Sequence, residues 1–209
     1  MKIYVYIHVC CINNWKDIFM TLYHTIRESG LYDNVSGIKC NVLTKDSNDA
    51  TFFTDLMDSK LEVIGINDNL NLYETPTINL LHEHAKTEDF YVLYLHTKGV
   101  KHNGGLIYVT DWVNYLIHFN IKKHATCIAA LSEYDAVGVN LHRGAGNTHY
   151  SGNFWWSTSD YIKKLDTCVY QDYISPELWL TCTDRGKYLS LWDSHTNHYA
   201  ERYEAHRYS

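Results

Sequence analysis

Phe90-Tyr91-Val92-Leu93-Tyr94-Leu95-His96-Thr97-Lys98-Gly99 is the stretch on which the fold turns. Six apolar or aromatic residues run without a polar break and then meet an imidazole, a hydroxyl, a cation and a glycine. A run that does not alternate predicts a strand buried on both faces of a central sheet. Its abrupt polar end predicts where chemistry sits, because an open parallel sheet takes its ligand beyond the carboxyl ends of its strands.

Working outward, the residues on either side supply the other parts of an α/β domain. A strand over residues 2 to 10 is followed by Asn13-Asn14, which can cap a helix carrying Trp15, Ile18, Phe19, Leu22 and Ile26 on one face. Gly30 stops that helix. Residues 38 to 43 and 61 to 66 read as further strands, and Thr75-Pro76 supplies a cap and first helical residue for a helix through Leu80, Leu81 and His84. Beyond the central strand a long helix is expected over residues 108 to 131, with Trp112, Tyr115, Leu116, Phe119 and Ile128 on its apolar side. A strand over 136 to 141, an irregular segment over 150 to 157, a helix over 160 to 165 and a helix opened by Pro176 complete the pattern. There is no internal repeat and no linker. The expectation is one α/β domain over residues 1 to 209 with a mostly parallel, mixed sheet flanked by helices. The chain divides at about residue 105, into a first part of about 1 to 105 and a second of about 106 to 209.

Composition narrows the function classes. The chain has 209 residues, 45% hydrophobic and 20% charged, with 2 Pro and 11 Gly, which excludes disordered and collagen-like classes. A formal net charge of −6 gives no footprint for nucleic acid or an anionic membrane, so a phosphate ligand must be met by local donors. The 13 His and 18 Tyr are in excess, and they are where such donors are to be sought. No apolar stretch approaches the roughly 20 residues of a membrane span. Six cysteines, with no C-x-x-C pair, read as reduced thiols in a cytoplasmic protein.

The first strand ends in His8-Val9-Cys10-Cys11-Ile12-Asn13-Asn14 without a glycine, which argues against a dinucleotide fold or a methyltransferase turn. No G-x-x-x-x-G-K-[ST] occurs, which excludes a P-loop enzyme. Lys98 can offer a point charge to a diphosphate, with the Thr97 hydroxyl and Gly99 backbone beside it; the plain alternative is a lysine that opens a solvated loop. Lys101-His102-Asn103-Gly104-Gly105 is polar enough to order over a ligand or to be a surface turn. Arg143-Gly144-Ala145-Gly146-Asn147 leads into His149-Tyr150-Ser151-Gly152-Asn153-Phe154-Trp155-Trp156, whose aromatics and amide suit a sugar, although Phe154, Trp155 and Trp156 can equally anchor a core. Asp172 and Glu177 flank Pro176, and Glu177 falls in a first helical turn. His195 and His198 stand three apart near the end of the chain, as metal ligands, phosphate ligands or plain surface histidines.

His96-Thr97-Lys98-Gly99, Ser151-Gly152-Asn153-Phe154-Trp155-Trp156 and Pro176-Glu177-Leu178-Trp179-Leu180, in that order, resemble small viral and bacterial glycosyltransferases of the GT-A fold. Within that group the likeness is to glycosyltransferase domains that build capsid glycan in chlorella viruses. The resemblance implies transfer of a hexose or deoxyhexose from a UDP-sugar to a glycan or glycoprotein acceptor, in a host cytoplasm if viral. It also implies a divalent cation, manganese or magnesium, on the diphosphate. The Asp-x-Asp of such enzymes is replaced here by His96-Thr97-Lys98. The resemblance places His8, Val9, Cys10, Thr44, Lys45 and Asp46 around the nucleoside, His96, Thr97 and Lys98 on the diphosphate, and Gly152-Asn153 on the sugar. His96, His195 and His198 are the implied metal ligands, and Glu177, with Asp172 in reserve, the base if the transfer inverts; a retaining transfer needs neither. The competing class is a carbohydrate-binding module that works through Trp155 and Trp156. The polar ending 199 to 209 fits a whole protein or one module of a longer chain.

Overall fold

The computed structural model describes residues 1–144, 147–183 and 185–209. In chain order the elements are β1 Lys2–Cys10, α1 Trp15–Glu28, α2 Leu31–Asn34, β2 Gly37–Leu43, α3 Thr51–Asp55, β3 Leu61–Asn67, α4 Thr75–Ala85 and β4 Phe90–His96. There follow α5 Ile107–Ile117, α6 His124–Ala130, β5 Ala136–Gly138, β6 Leu141–His142, β7 His149–Tyr150, β8 Trp155–Thr158, α7 Ser159–Ile162, α8 Ser175–Trp179 and β9 Tyr188–Ser190.

Seven strands form one sheet in the order β3-β2-β1-β4-β8-β5-β9, and β6-β7 make a small second sheet. β1, β2, β3 and β4 run parallel, β8 is antiparallel to both of its neighbours, and β9 is parallel to β5. This is the expected single α/β domain with a mixed, mostly parallel sheet. β4 is central and lies between β1 and β8.

Strand alternation sorts the side chains into two cores. Val5, Ile7 and Val9 of β1 and Leu93 and Leu95 of β4 pack with Trp15, Phe19, Leu22 and Ile26 of α1 and Trp112, Tyr115 and Leu116 of α5. Tyr4 and Tyr6, with Phe90, Val92 and Tyr94, pack with Ile78, Leu81 and Ala85 of α4. β8 serves both cores with consecutive residues: Trp155 enters the α4 side and Trp156 the α5 side.

Several local expectations are corrected. The helix expected over 108 to 131 is broken into α5 and α6 by a π turn at His118–Lys122. The wider turn lets the Asn120 carbonyl accept the Trp156 indole N–H at 2.8 Å. Thr75 is the first residue of α4 and not its cap, and its buried hydroxyl has no partner among the described residues. Asn14 makes no side-chain cap on α1. Asn13, at φ 49°, instead donates its Nδ2 to the Val100 carbonyl at 3.0 Å and so ties the β1–α1 turn to the loop after β4. The strand expected over 136 to 141 divides into β5 and β6, and β9 comes from a segment whose pattern carried no strand signal. No two cysteines are bonded, and no described helix is long and apolar enough to cross a membrane.

Candidate functional site

β1 and β4 pair in a register that sets His8 beside His96. Neighbours in parallel strands project to the same face, so both imidazoles stand on the α4 side at the carboxyl edge of the sheet. Here a cleft of about 460 Å³ opens. Its floor is His8, Cys10, His96, Thr97 and Lys98; the turn before α4 adds Tyr73 and Glu74; Trp112, Tyr173 and Tyr199 wall it from the second half of the chain. Lys101 and His102 stand at the rim.

The turn after β4 is built backbone first. Thr97 donates its N–H to the His8 carbonyl at 3.0 Å, and its hydroxyl accepts the Cys10 N–H at 3.0 Å. Gly99 takes φ 86°, where a Cβ would stand 3.0 Å from Val109. These contacts lock the ends of two strands together and hold Lys98 over the cleft.

Lys98 is half-buried, its Nζ 3.6 Å from the Trp112 ring centroid. That cation–π contact compensates part of the lost hydration. Burial pulls the Lys98 ammonium below its ordinary pKa, while the charges of Glu177 and Glu74 oppose the shift. Among the described residues no carboxylate reaches Nζ within 4.0 Å and no acceptor bonds it. His198 stacks on the same indole at 5.3 Å and 8°.

The two histidines are held differently. His8 Nδ1 meets the Thr77 hydroxyl of α4 at 2.8 Å, and burial brings its pKa down to about 4. His96 Nε2 lies 3.0 Å from the Gly152 carbonyl. A carbonyl only accepts, so the ring carries its proton on Nε2 and turns the Nδ1 lone pair outward. That nitrogen is 3.5 Å from Glu74 Oε1. Burial, reinforced by Lys98, brings the His96 pKa down to about 3, so the ring is neutral at physiological pH.

Gly152 is the hinge of the arrangement. Its φ is 100°, and a Cβ there would lie 2.7 Å from Leu116 and 3.2 Å from the Trp112 indole nitrogen. Its N–H donates to Glu177 Oε1 at 2.8 Å while its carbonyl holds His96. Glu177, Gly152, His96 and Glu74 therefore form one chain of contacts along the cleft.

Of the residues singled out in the sequence, His8, Cys10, His96, Thr97, Lys98, Gly99, Lys101 and His102 line the cleft. The others are placed elsewhere. Val9 alternates to the opposite face and is core. Thr44 is buried and donates to Asp49; Lys45 and Asp46 are exposed, and Asp46 caps a turn by accepting from Asn48 N at 2.9 Å. Asn153 is buried at φ 54° and accepts the Trp155 indole N–H at 2.8 Å, so its carboxamide faces the core and not a sugar. Trp155 and Trp156 are 1% and 0% exposed, which removes the aromatic platform of the carbohydrate-binding module. Asp172 is committed to the turn before α8, where Oδ1 accepts from Ile174 N and from Ser175 N and Oγ. Glu177 supports the Gly152 turn from beside the cleft. Ala145 and Gly146 of the glycine-bearing segment lie outside the described residues.

The implied metal shell does not assemble. His96 spends Nε2 on Gly152. His198 Nε2 is occupied by Asn140 at 3.0 Å and Ser194 at 2.8 Å, and its Nδ1 is buried. His195 is exposed at φ 53°. Among the described residues no group of three His, Cys, Asp or Glu side chains could hold a metal ion. Glu74, Tyr73, Trp112, Tyr173 and Tyr199 are cleft residues that the sequence reading missed. The signal available was Glu74-Thr75-Pro76, a carboxylate at a helix start that faces the strand ends.

The family model described as Domain of unknown function (DUF8361) matches residues 21–175. The chain belongs to this family. The DUF8361 match contains Glu74, the 96–102 turn, Trp112 and Gly152; His8, Cys10, Glu177 and Tyr199 lie outside it. No curated protein matches the chain. Among solved structures, HddC from Yersinia pseudotuberculosis is similar with a TM-score of 0.51 at 13% identity, over 91% of this chain and 90% of that one. The 4-diphosphocytidyl-2C-methyl-D-erythritol synthase from Anaerococcus prevotii is similar with a TM-score of 0.52 at 10% identity, over 91% and 86%. These likenesses show the fold that the DUF8361 chain shares with both.

Proposed function

We propose that the protein is a glycosyltransferase that moves a hexose or deoxyhexose from a UDP-sugar to a glycan acceptor, the capsid glycan of the resemblance being the acceptor class. The observation that carries the reading is Lys98: an ammonium held on an indole at a sheet edge, with no acceptor of its own among the described residues. An anion placed there would gain charge-assisted hydrogen bonds. The Thr97 hydroxyl and rim Lys101 stand beside it. One structural neighbour is a synthase of a diphosphocytidyl compound, which suits a nucleoside diphosphate in a cleft of this fold. Among the described residues no three His, Cys, Asp or Glu side chains converge to hold the cation expected on the diphosphate, so Lys98 carries the compensating charge in this reading and no step is routed through a metal.

Titration with UDP, GDP and CMP, each with manganese and with a chelator, tests it. UDP at 100 times its Kd should stabilise the native state by about 2.7 kcal/mol, or about 5 to 10 °C in Tm for a chain of this length. Most of that shift should persist in chelator. Lys98→Ala should weaken UDP binding about tenfold to a hundredfold, the loss of a hydrogen bond to a charged group. Stabilisation by none of the nucleotides defeats the proposal.

A further inference from the structure

We infer that Glu74, and not Glu177, is the base that takes the acceptor's proton in an inverting transfer, an assignment that rests on the glycosyl-transfer reading above. Glu74 lines the cleft, as Lys98 does, whereas Glu177 and Asp172 do not. A base must reach the hydroxyl it deprotonates. Glu177 Oε1 already accepts the Gly152 N–H, and Asp172 Oδ1 holds the turn before α8. Among the described residues the Glu74 carboxylate accepts no hydrogen bond; its near neighbour is His96 Nδ1 at 3.5 Å.

That neighbour gives the carboxylate its function. Because the Gly152 carbonyl fixes the His96 proton on Nε2, the Nδ1 lone pair faces Glu74 Oε1, two acceptors with no hydrogen between them. A proton arriving on Glu74 turns this opposition into a hydrogen bond to Nδ1. In the step itself the acceptor O–H gives its proton to Glu74, the oxygen forms a bond to the anomeric carbon, and the bond from that carbon to the diphosphate breaks. The electron pair of the broken bond leaves with UDP, beside Lys98. Glu177 is then a positioning residue that acts through the Gly152 turn on His96. Tyr73, at φ 47° immediately before Glu74 and packed on Tyr170 and Tyr173, fixes where the carboxylate is presented.

The test uses the full chain with UDP-glucose, UDP-galactose and UDP-rhamnose, following UDP release, alongside calorimetric titration with UDP. Glu74→Gln should keep UDP affinity within about twofold and lower kcat by about 100-fold or more, the usual contribution of a positioned base. Formate should restore part of the turnover of Glu74→Ala, a readout that a merely structural carboxylate would not move. Glu177→Gln should lower kcat less than Glu74→Gln does. Turnover by Glu74→Gln within threefold of wild type overturns the assignment, as does loss of UDP affinity in step with turnover and without formate rescue. A wild-type chain that neither binds UDP nor releases it from any donor removes the underlying reading instead.

Discussion

Gly152 shows how much one residue settles. It sits at φ 100°, with Leu116 and the Trp112 indole where a side chain would begin, and both of its backbone polar groups are used, one by Glu177 and one by His96. Gly152→Ala adds left-handed strain and overpacking, for a destabilisation of about 2 to 4 kcal/mol in urea unfolding. The same change should uncouple Glu177 from His96 and impair turnover beyond its effect on stability. The Gly-Asn pair was legible as special in the sequence. Its purpose was not, because a turn that packs on a helix and a turn that binds a sugar need the same residue types. Asn153 belongs to the first kind, its amide held by Trp155.

At the scale of elements, β1 shares a polar seam with α4 and the turn that follows it. Tyr4 donates to Glu88 at 2.9 Å, the Tyr6 hydroxyl meets His84 Nδ1 at 2.8 Å, and His8 meets Thr77 at 2.8 Å. The alternation of Tyr4, Tyr6 and His8 with Val5, Ile7 and Val9 could be read from the sequence, since a strand sends every second residue to one face. The partners on α4 could not, because they depend on which helix covers that face. The seam and its surroundings make stability depend on acid. Burial holds His8 and His198 neutral down to about pH 4 and His96 to about 3, whereas in the unfolded chain a histidine takes up its proton near 6.5. Between those values the unfolded state binds the extra protons. Stability is therefore full at neutral pH and falls as pH drops from about 6.5 toward 4, each histidine contributing a slope of up to about 1.4 kcal/mol per pH unit. Urea midpoints at pH 7.5, 6 and 5 should decline, and His8→Gln should flatten the decline.

Over the whole molecule, the last residues brace the wall of the cleft. Tyr203 and Tyr208 pack edge-on against Tyr115 of α5, His198 stacks on both Tyr115 and Trp112, and Arg202 donates to Asp111 at 2.8 Å. Tyr203 is 3% exposed. Tyr203→Ala should cost about 3 to 4 kcal/mol, in the range for large aromatic truncations in a core, as a lower urea midpoint. It should also weaken UDP binding, because Trp112 carries Lys98. Arg202 is half-exposed but Asp111 is buried, so Arg202→Ala strips a buried carboxylate of its partner and should lower the urea midpoint, by the equivalent of about 1 to 3 kcal/mol.

The sequence by itself determined the sheet-centred architecture, the central strand and the polar edge where His96, Thr97 and Lys98 stand. These follow from local periodicity and from the end of an apolar run, both of which are properties of neighbouring residues. Only the tertiary structure decided that Trp155 and Trp156 are core, that Asn153 and Asp172 hold turns, that His195 and His198 are kept apart from His96, and that Glu74 joins it. Those outcomes depend on which elements pack across the sheet, contacts between residues tens of positions apart that no local pattern encodes.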